Sequence, residues 1–457
     1  MIHDLLFALL GFTGDFFILD KGHLIMVESK KKYFEKWDIA ILFEILKIAT
    51  SYMQIRDWVV ANNQSLDVYI QASSRSIREN LLAHYEQWVG DYEKKMIQEV
   101  GMIENSFSLS SLRLELNSKW ANKFESVSTV LNEFSFNLIY LSQNSDLKFL
   151  QKTICNVLVR EMVSWCKYGV GTNVWPSSVV DSKMREKIDF CGKASKILEK
   201  KKLKPPPGFV DTWEFFPGYL TTQLEVVRAE QSARLDTMLR SEYLKEFARI
   251  RGFFLLGFGH LWTEFLSGDT PDWDGVSGDM FEPKIEYRPV WPINELIITS
   301  HQISKYNEIF TFLFRLKRIV TKLFSKTDKS ILGYKLGHFF QSLFGFLQID
   351  LIESEWNPFM SFVHETKDVQ EIAHAHSRLV TKLYTGCLLS APHVMESVLE
   401  LERIAYSSEP QEIQFTVEMQ TLFTLFEELQ LTSTYSSINR LISKLDYNSF
   451  YRNKTRA

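Results

Sequence analysis

The stretch from Tyr287 to Lys322 constrains the fold more than any other part of the sequence. It opens with two prolines within four residues, and a proline lacks an amide donor and pushes the preceding residue toward extended backbone. Trp291-Pro292 therefore predicts an extended start with an aromatic anchor. A short apolar run follows, and Thr299 or Ser300 is then placed to cap a helix.

The helix that follows is predicted to be apolar around much of its circumference. Tyr306, Phe310 and Leu313 recur at three- and four-residue steps on one face, and Ile309 and Phe312 lie on a second stripe. A helix of this kind is usually buried on several sides. We expect it to be the core helix of the C-terminal half.

Helical periodicity extends over most of the 457 residues. No hairpin signature of the Asn-Gly type is found and no fixed-period repeat is present, so the sequence predicts an all-α fold. The predicted helices are Ile2–Leu10, Trp37–Val60, Tyr69–Val100, Leu109–Phe124, Val127–Leu141, Leu147–Tyr168, Leu220–Leu266, Ile331–Asp350, Leu351–Thr366, Val369–Leu389, Met395–Arg403, Glu412–Leu429 and Ile438–Tyr451.

A division into two helical regions is predicted near Glu199–Pro217. This segment holds a lysine run and then three consecutive prolines, which cannot continue a helix and form a semi-rigid spacer. We therefore predict domains at 1–217 and 218–457. The acidic segment Gly268–Glu286 is expected to be an exposed loop.

Charge and cysteine content argue against several classes of protein. The net charge of −4 gives no overall attraction to nucleic acid or to anionic membranes, so any electrostatic choice of partner must be local. The four cysteines lack paired spacing, which predicts buried, reduced thiols in a cytoplasmic protein. The apolar N-terminus is too short for a membrane span. We expect no nucleic-acid partner and no membrane insertion.

No candidate catalytic or metal-binding motif in the sequence has the residue spacing that its chemistry requires. Gly257-x-Gly259 lacks the third glycine of a dinucleotide loop. His374 and His376 are two residues apart on a predicted helix, so they point about 200° from each other, whereas a helical zinc pair needs i,i+4 spacing. We expect one exposed and one packed histidine, no cofactor, and a protein that is not an enzyme.

Three separated motifs resemble the γ-tubulin complex component family (GRIP-motif proteins), in a shortened and divergent form nearest to the class called component 4. The first is Met1–Leu9 followed by Gly11-Phe12-x-Gly14, and the second is Trp291-Pro292 followed by Tyr306-Asn307. The third is the C-terminal run Leu445-Asp446-Tyr447-Asn448. The motifs keep the family's order along nearly the whole chain.

This resemblance implies an elongated stack of helical bundles that works by holding other proteins. Its C-terminal half is expected to bind γ-tubulin and its N-terminal half to lie beside other γ-tubulin complex components, at a microtubule organising centre such as a centrosome or spindle pole. The candidate residues for γ-tubulin are Arg315, Lys317, Arg318, His374 and Arg378. The candidate lateral contacts are Leu5, Leu6, Leu9 and Phe12. The motif residues with a structural role are Trp291, Pro292, Tyr306, Asn307, Asp446 and Tyr447.

Two alternatives remain open at this stage. The basic group around Arg315 and Lys317 either faces an acidic partner or is a solvated helix end that complements its own dipole. The chain is either a ring subunit or a helical adaptor that no longer binds γ-tubulin.

Overall fold

A computed structural model describes residues 2–100, 108–171, 175–201, 217–267, 284–325, 330–407, 411–431 and 438–446. The chain divides into two units, one of Met1–Ser195 with Pro207–Val227 and one of Lys196–Pro206 with Arg228–Ala457. The predicted boundary at residue 217 stays a prediction, because residues 202–216 lie outside the described part.

The first unit is built from helices around two clusters of buried apolar residues, the larger within residues 5–155 and the smaller within residues 158–227. Helix α2 packs against α1, α3, α5 and α6, and α3 packs against α8. Tyr52, Tyr85 and Phe124 are among the largest fully buried side chains of the larger cluster. The helices are α1 (Ile2–Leu9), α2 (Lys36–Asn62), α3 (Val68–Ile77), α4 (Ala83–Val100), α5 (Leu109–Leu116), α6 (Asn122–Asn132), α7 (Phe136–Leu141), α8 (Lys148–Tyr168) and α9 (Ser182–Lys200).

The second unit contains most of α10 (Pro217–Phe253) and the helices that follow it. Helix α13 (Ser300–Ser325) packs against α14, α16 and α17. Its two predicted apolar stripes are buried, as Tyr306, Ile309 and Leu313 show with no exposed surface. The other helices are α11 (Gly259–Ser267), α12 (Ile293–Leu296), α14 (Ile331–Gly345), α15 (Ser354–Glu365), α16 (Val369–Gly386), α17 (Pro392–Tyr406), α18 (Glu412–Gln430) and α19 (Ile438–Leu445).

The all-α prediction is confirmed apart from one small hairpin that the sequence analysis missed. Strands β1 (Phe17–Asp20) and β2 (His23–Met26) pair antiparallel, with Phe17 opposite Met26. The two turn residues, Lys21 and Gly22, have φ values of 49° and 80°. A two-residue turn with positive φ values favours Asn or Gly at both positions. Because Lys21 occupies the first position, the Asn-Gly hairpin signature is absent from the sequence.

Three π-helical segments lie within the predicted helices, two of them each inside a single predicted helix and the third across the boundary between two. These segments are Arg78–Leu82, Asn117–Ala121 and Phe346–Glu353, and each joins two α-helices without a break. The last one links α14 to α15, which the periodicity had divided near residue 350. A π segment inserts a residue into the helical repeat. The apolar residues that follow it are therefore displaced around the helix axis relative to those that precede it.

The predicted helix Leu220–Leu266 is wrong in its middle. Helix α10 ends at Phe253, and α11 begins at Gly259. Between them Leu256 has φ +57°, and the Gly257 amide donates to the Arg251 carbonyl at 2.9 Å. A β-carbon at Gly257 would lie 2.7 Å from that oxygen, so the backbone leaves the helix at a position that only glycine fits.

A second glycine allows close packing inside the first unit. A β-carbon on Gly192 of α9 would lie 2.0 Å from the indole nitrogen of Trp165 on α8. That indole nitrogen donates to the Ile188 carbonyl at 3.0 Å. The glycine therefore lets α8 and α9 approach closely enough for this buried hydrogen bond.

The four cysteines Cys155, Cys166, Cys191 and Cys387 are all buried and form no disulfide bond, as predicted. Across the described ranges, no helix combines the length and the apolar character that a bilayer crossing requires.

Candidate interaction surfaces

The start of α13 is fixed by a capping box, which confirms the predicted cap at Thr299. The Thr299 hydroxyl accepts from the Gln302 amide at 3.4 Å, and the Gln302 side chain accepts from the Thr299 amide at 2.8 Å. Just before it, Trp291-Pro292 is a cis peptide bond. Pro292 is buried, and the half-buried Trp291 ring lies 4.8 Å from the Lys200 ammonium. The motif therefore anchors the segment that leads into α13.

Asn307 attaches the preceding segment to α13. Its side-chain oxygen accepts from the Ile285 amide at 2.8 Å, and its side-chain nitrogen donates to the Ile285 carbonyl at 3.2 Å. Residues 284–290 have no regular secondary structure, and their exposure alternates along the chain. The Asn307 side chain thus makes with the backbone of Ile285 the two hydrogen bonds that a neighbouring β-strand would otherwise make.

Tyr306 and His376 form a buried polar pair in the second unit. The His376 Nδ1 lies 3.3 Å from the Ile297 carbonyl oxygen, and its Nε2 lies 3.1 Å from the Tyr306 hydroxyl. Because a carbonyl only accepts, Nδ1 carries the proton, Nε2 accepts, and Tyr306 donates. The rings of Phe247 and Phe359 also lie against the imidazole, at 5.3 and 5.9 Å between centroids.

Burial controls the charge of this histidine. His376 has no exposed surface, and desolvation lowers its pKa to about 4, opposed in part by the hydrogen bond to Ile297. Burial likewise raises the pKa of Tyr306. Both groups are therefore neutral near pH 7, and the pair serves packing.

An ion pair joins helix α10 to the connection between α15 and α16. Arg228 is 9% exposed, and its Nη1 lies 2.6 Å from the Asp368 carboxylate. Asp368 also caps α16 by accepting from the Gln370 amide, and it accepts from the Ser232 hydroxyl at 2.9 Å. A charge-assisted contact with this geometry is stronger than a neutral hydrogen bond. It fixes where α16 begins.

A second contact lies further along the same face of α10. The Arg240 guanidinium donates to the Val363 and His364 carbonyls at 2.9 and 2.6 Å, at the end of α15. Asp236 accepts from Arg240 at 2.9 Å and from the Tyr243 hydroxyl at 2.5 Å. The sequence analysis missed these residues.

A signal for this polar face is present in the sequence. Arg228, Ser232, Asp236 and Arg240 recur at four-residue steps and so lie along one side of the helix. We name this set the α10 clamp. Its partners are more than 120 residues away along the chain, as the 126-residue separation of Arg240 from Thr366 illustrates.

The two histidines of α16 point in different directions, as predicted. His376 is buried, whereas His374 is exposed, and Arg378 is exposed one turn further on. Both exposed residues are sequence candidates for contact with γ-tubulin, and that role stays a prediction. The α10 clamp fixes the helix that carries them.

The other three candidates are half-buried and make contacts inside the second unit. Arg315 pairs with the buried carboxylate of Glu402 at 2.8 Å. Lys317 lies over the ring of Phe344, with 5.6 Å from its nitrogen to the centroid. Arg318 donates to the Tyr406 hydroxyl at 3.0 Å. These cations stabilise the packing of α13 against its neighbours, so they are not a freely exposed cluster.

A pocket of about 600 Å³ opens beside α13 and includes Arg315 in its wall. Its lining combines five apolar side chains with seven that carry hydroxyl, amide or charged groups. The lining residues are Lys284, Ser300, Ile303, Ser304, Asn307, Glu308, Thr311, Phe312, Arg315, Leu389, Met395 and Leu399. A pocket with this mixed lining offers both apolar surface and hydrogen-bonding groups to a partner.

The predicted lateral contacts on α1 require a correction. Leu5, Leu6 and Leu9 are 1%, 5% and 0% exposed, because this face packs into the core of the first unit. They cannot reach a neighbouring molecule. Phe12 is 54% exposed and Phe7 is 45% exposed, with 6.2 Å between their ring centroids. The accessible apolar surface therefore consists of Phe7, on the opposite face of α1, and Phe12, which follows the end of this helix.

The C-terminal motif is described only in part. Asp446 is buried at 2% exposure, directly after α19. Tyr447 lies outside the described residues.

Two family models match the chain in order. The model described as Gamma tubulin complex component N-terminal matches residues 2–158, and the one described as Gamma tubulin complex component C-terminal matches residues 279–409. The C-terminal match contains the Trp291-Pro292 motif, α13, α16 and the pocket.

Known proteins of this kind match at low identity. A γ-tubulin complex component 4 homolog of Medicago truncatula is 23% identical over 230 residues, which is 39% of this chain and 30% of the relative. Human γ-tubulin complex component 4 is 22% identical over 202 residues, covering 36% and 30%, and human component 6 is 25% identical over 175 residues, covering 30% and 10%. The matched part thus spans less than a third of each relative. Because the two family models together cover more than half of the 457 residues, the chain belongs to the γ-tubulin complex component family.

Proposed function

We propose that this protein is a structural subunit of a γ-tubulin ring complex. Its C-terminal half binds γ-tubulin, and its N-terminal half lies beside other γ-tubulin complex components. In this role it templates microtubule nucleation at an organising centre, such as a centrosome or spindle pole. The observation that carries the proposal is the match to both family models in their order, at 2–158 and 279–409.

A subunit of this kind acts by position and needs no active site. Each association of free proteins costs several kcal/mol, about 4 or more, in lost translational and rotational freedom. A set of subunits that each hold one γ-tubulin removes much of that cost before a microtubule starts to grow. Rigid attachment of the contact surface is then the property that matters.

The proposed γ-tubulin contact combines the exposed face of α16 with the pocket beside α13. His374 and Arg378 supply exposed side chains, and Arg315 contributes to the pocket wall. Tubulins are acidic proteins, so Arg378 supplies a charge of the complementary sign. Lys317 and Arg318 act indirectly, since their contacts hold α13 in place.

The proposed lateral contact uses the exposed face of α1. Phe7 and Phe12 are aromatic, exposed and adjacent. Aromatic side chains are enriched at protein interfaces, where they bury a large area. The leucines behind them maintain the fold of this surface.

Binding of the full chain to purified γ-tubulin tests the proposal. Sedimentation should show a complex, and Arg378→Glu should weaken it at least about tenfold, in the range expected for a charge within an interface. Arg440→Glu is the matched control, because Arg440 is exposed on α19 and has no assigned role. An equal loss in both variants would contradict the assignment to α16.

The second candidate is a helical adaptor that joins the complex without gripping γ-tubulin. It is favoured by the short match, which covers only 30% of the Medicago truncatula relative. Sedimentation with another family member separates the two functions. An adaptor binds that neighbour through the surface of Phe12 and leaves γ-tubulin unbound.

A further inference from the structure

A basic and aromatic surface in the first unit is used by neither proposed contact. It comprises the 3-10 turn Glu28–Tyr33 and the first three turns of α2. Three aromatic side chains project from it, Tyr33, Trp37 and Phe43, with exposures of 66%, 71% and 70%. Its basic residues are Lys30, Lys31, Lys32, Lys36 and Lys47. We name these eight side chains the lysine–aromatic surface.

The spacing on α2 brings lysine and aromatic side chains onto one line. Lys36, Ala40, Phe43 and Lys47 fall within about 60° of each other at 100° per residue. In the 3-10 turn, the Lys32 ammonium lies 5.1 Å from the centre of the Tyr33 ring. A strip with both lysine and aromatic side chains therefore begins at the turn and follows one side of α2.

Residues 28–47 also contain four acids, Glu28, Glu35, Asp38 and Glu44, so that with the five lysines the segment has a net charge of +1. Three of these acids make contacts within the protein, one of them with a lysine of the surface. Glu28 pairs with Lys31 at 2.5 Å, and Glu44 pairs with Arg113 at 3.5 Å. Glu35 accepts from the Trp37 indole nitrogen at 2.5 Å. Lys32 and Lys36 are both exposed, so the strip presents positive charge next to apolar rings.

The composition of the strip favours a lipid surface over a protein partner. Residues 28–47 contain five lysines and no arginine. Protein interfaces are enriched in arginine and depleted of lysine, whereas clusters of lysines next to a bilayer are attracted to anionic headgroups. Tryptophan and tyrosine favour the headgroup region, where an apolar ring meets a polar edge.

We propose that the lysine–aromatic surface binds the negatively charged face of a phospholipid membrane. The lysines contact the phosphate and carboxylate headgroups, and the Trp37 and Tyr33 rings lie at headgroup depth. The protein is then held at the membrane surface by these side chains. Such a contact would attach the proposed microtubule-nucleating subunit to a membrane surface, but the binding itself does not depend on that function.

Vesicle co-sedimentation of the full chain tests this inference. Vesicles of phosphatidylcholine with about 30% phosphatidylserine should bind the protein, and pure phosphatidylcholine should not. Binding should weaken as salt rises, because the headgroup charges are screened. Lys32→Glu with Lys36→Glu should lower the partition coefficient at least about tenfold, given the contribution of each lysine near an anionic surface. Trp37→Ala should lower it less and with little change in salt dependence.

The control is a second double reversal, Lys94→Glu with Lys95→Glu. These lysines are exposed on α4 and change the net charge by the same amount. Circular dichroism verifies that every variant is folded. The proposal fails if wild type ignores phosphatidylserine or if the control variant loses binding equally. A second outcome also contradicts the proposal: the wild-type protein does not bind vesicles, and the Lys32→Glu, Lys36→Glu variant no longer binds another γ-tubulin complex component. The surface would then be a protein interface.

Discussion

Replacement of the buried His376 by glutamine should remove much of the pH dependence of stability in the second unit. Glutamine is neutral at every pH and retains hydrogen-bonding groups. In the wild type, burial lowers the pKa of His376 from 6.5 to about 4. An unfolded chain therefore takes up a proton below about pH 6.5, while the folded chain stays neutral until about pH 4.

The sign and size of the effect follow from these two values. Above pH 7 the ring is neutral in both states, so His376 contributes no pH dependence. As the pH falls from about 6.5 toward 4, proton binding stabilises the unfolded state, and the free energy of unfolding decreases. Between pH 8 and pH 5 the loss is about 2 kcal/mol, and it approaches about 3 kcal/mol below pH 4.

Urea unfolding of the full chain at pH 8 and pH 5, followed by circular dichroism, measures this loss. The change between the two pH values is compared in wild type and in His376→Gln, so that groups common to both proteins cancel. The variant should be less stable at pH 8 but should lose about 2 kcal/mol less on acidification.

Exposed His374 supplies the matched control two residues away. Its side chain is exposed, so His374→Gln shows what the same substitution on α16 does outside the buried pair. The reasoning is refuted if His376→Gln and wild type lose the same free energy between pH 8 and pH 5, because the buried ring then titrates as it does in water.

Three further predictions test packing. Leu9→Ala should reduce the free energy of unfolding by about 2–5 kcal/mol, whereas Phe12→Ala should change it by no more than about 0.5 kcal/mol. A small effect of Leu9→Ala would mean that α1 does not pack into the core. Gly192→Ala should destabilise the chain by at least about 1–3 kcal/mol, because the added methyl group overlaps with the buried indole of Trp165. Gly90 has open space around it, so Gly90→Ala should be neutral or should stabilise the chain by up to about 1 kcal/mol. Thermal melts of the two variants measure the difference. Arg240→Ala should lower the free energy of unfolding by about 3–5 kcal/mol, because the buried Asp236 carboxylate loses its cationic partner. Urea unfolding that differs little from wild type would show that the α10 clamp contributes little to stability.

Features set by neighbouring residues were predictable. The capping box at Thr299 and the burial of α13 follow from short-range spacing, because a cap and an amphipathic stripe need only one or two helical turns. The helix end at Gly169 is equally local, since its φ of +64° is one that glycine adopts readily. The exposed and buried histidines of α16 follow from 100° per residue.

Features set by backbone strain or distant partners were not predictable. Lys21 and Leu256 adopt positive φ, which their residue types disfavour, so these two residues do not mark the hairpin or the break after α10 in the sequence. The α10 clamp depends on residues far along the chain. The leucines of α1 show a further limit, since an apolar face is the same in sequence whether it meets its own core or another protein.

The burial of all four native cysteines has a practical consequence. Thiol reagents react with accessible thiolates, and burial raises the pKa of Cys387 to about 12 and that of Cys155 to about 11. A cysteine introduced at an exposed position would thus be the fast-reacting thiol in the native chain. Labels at residue 32, 12 or 378 would report separately on a lipid bilayer, a neighbouring subunit and γ-tubulin, each by its loss of reactivity when that surface becomes covered.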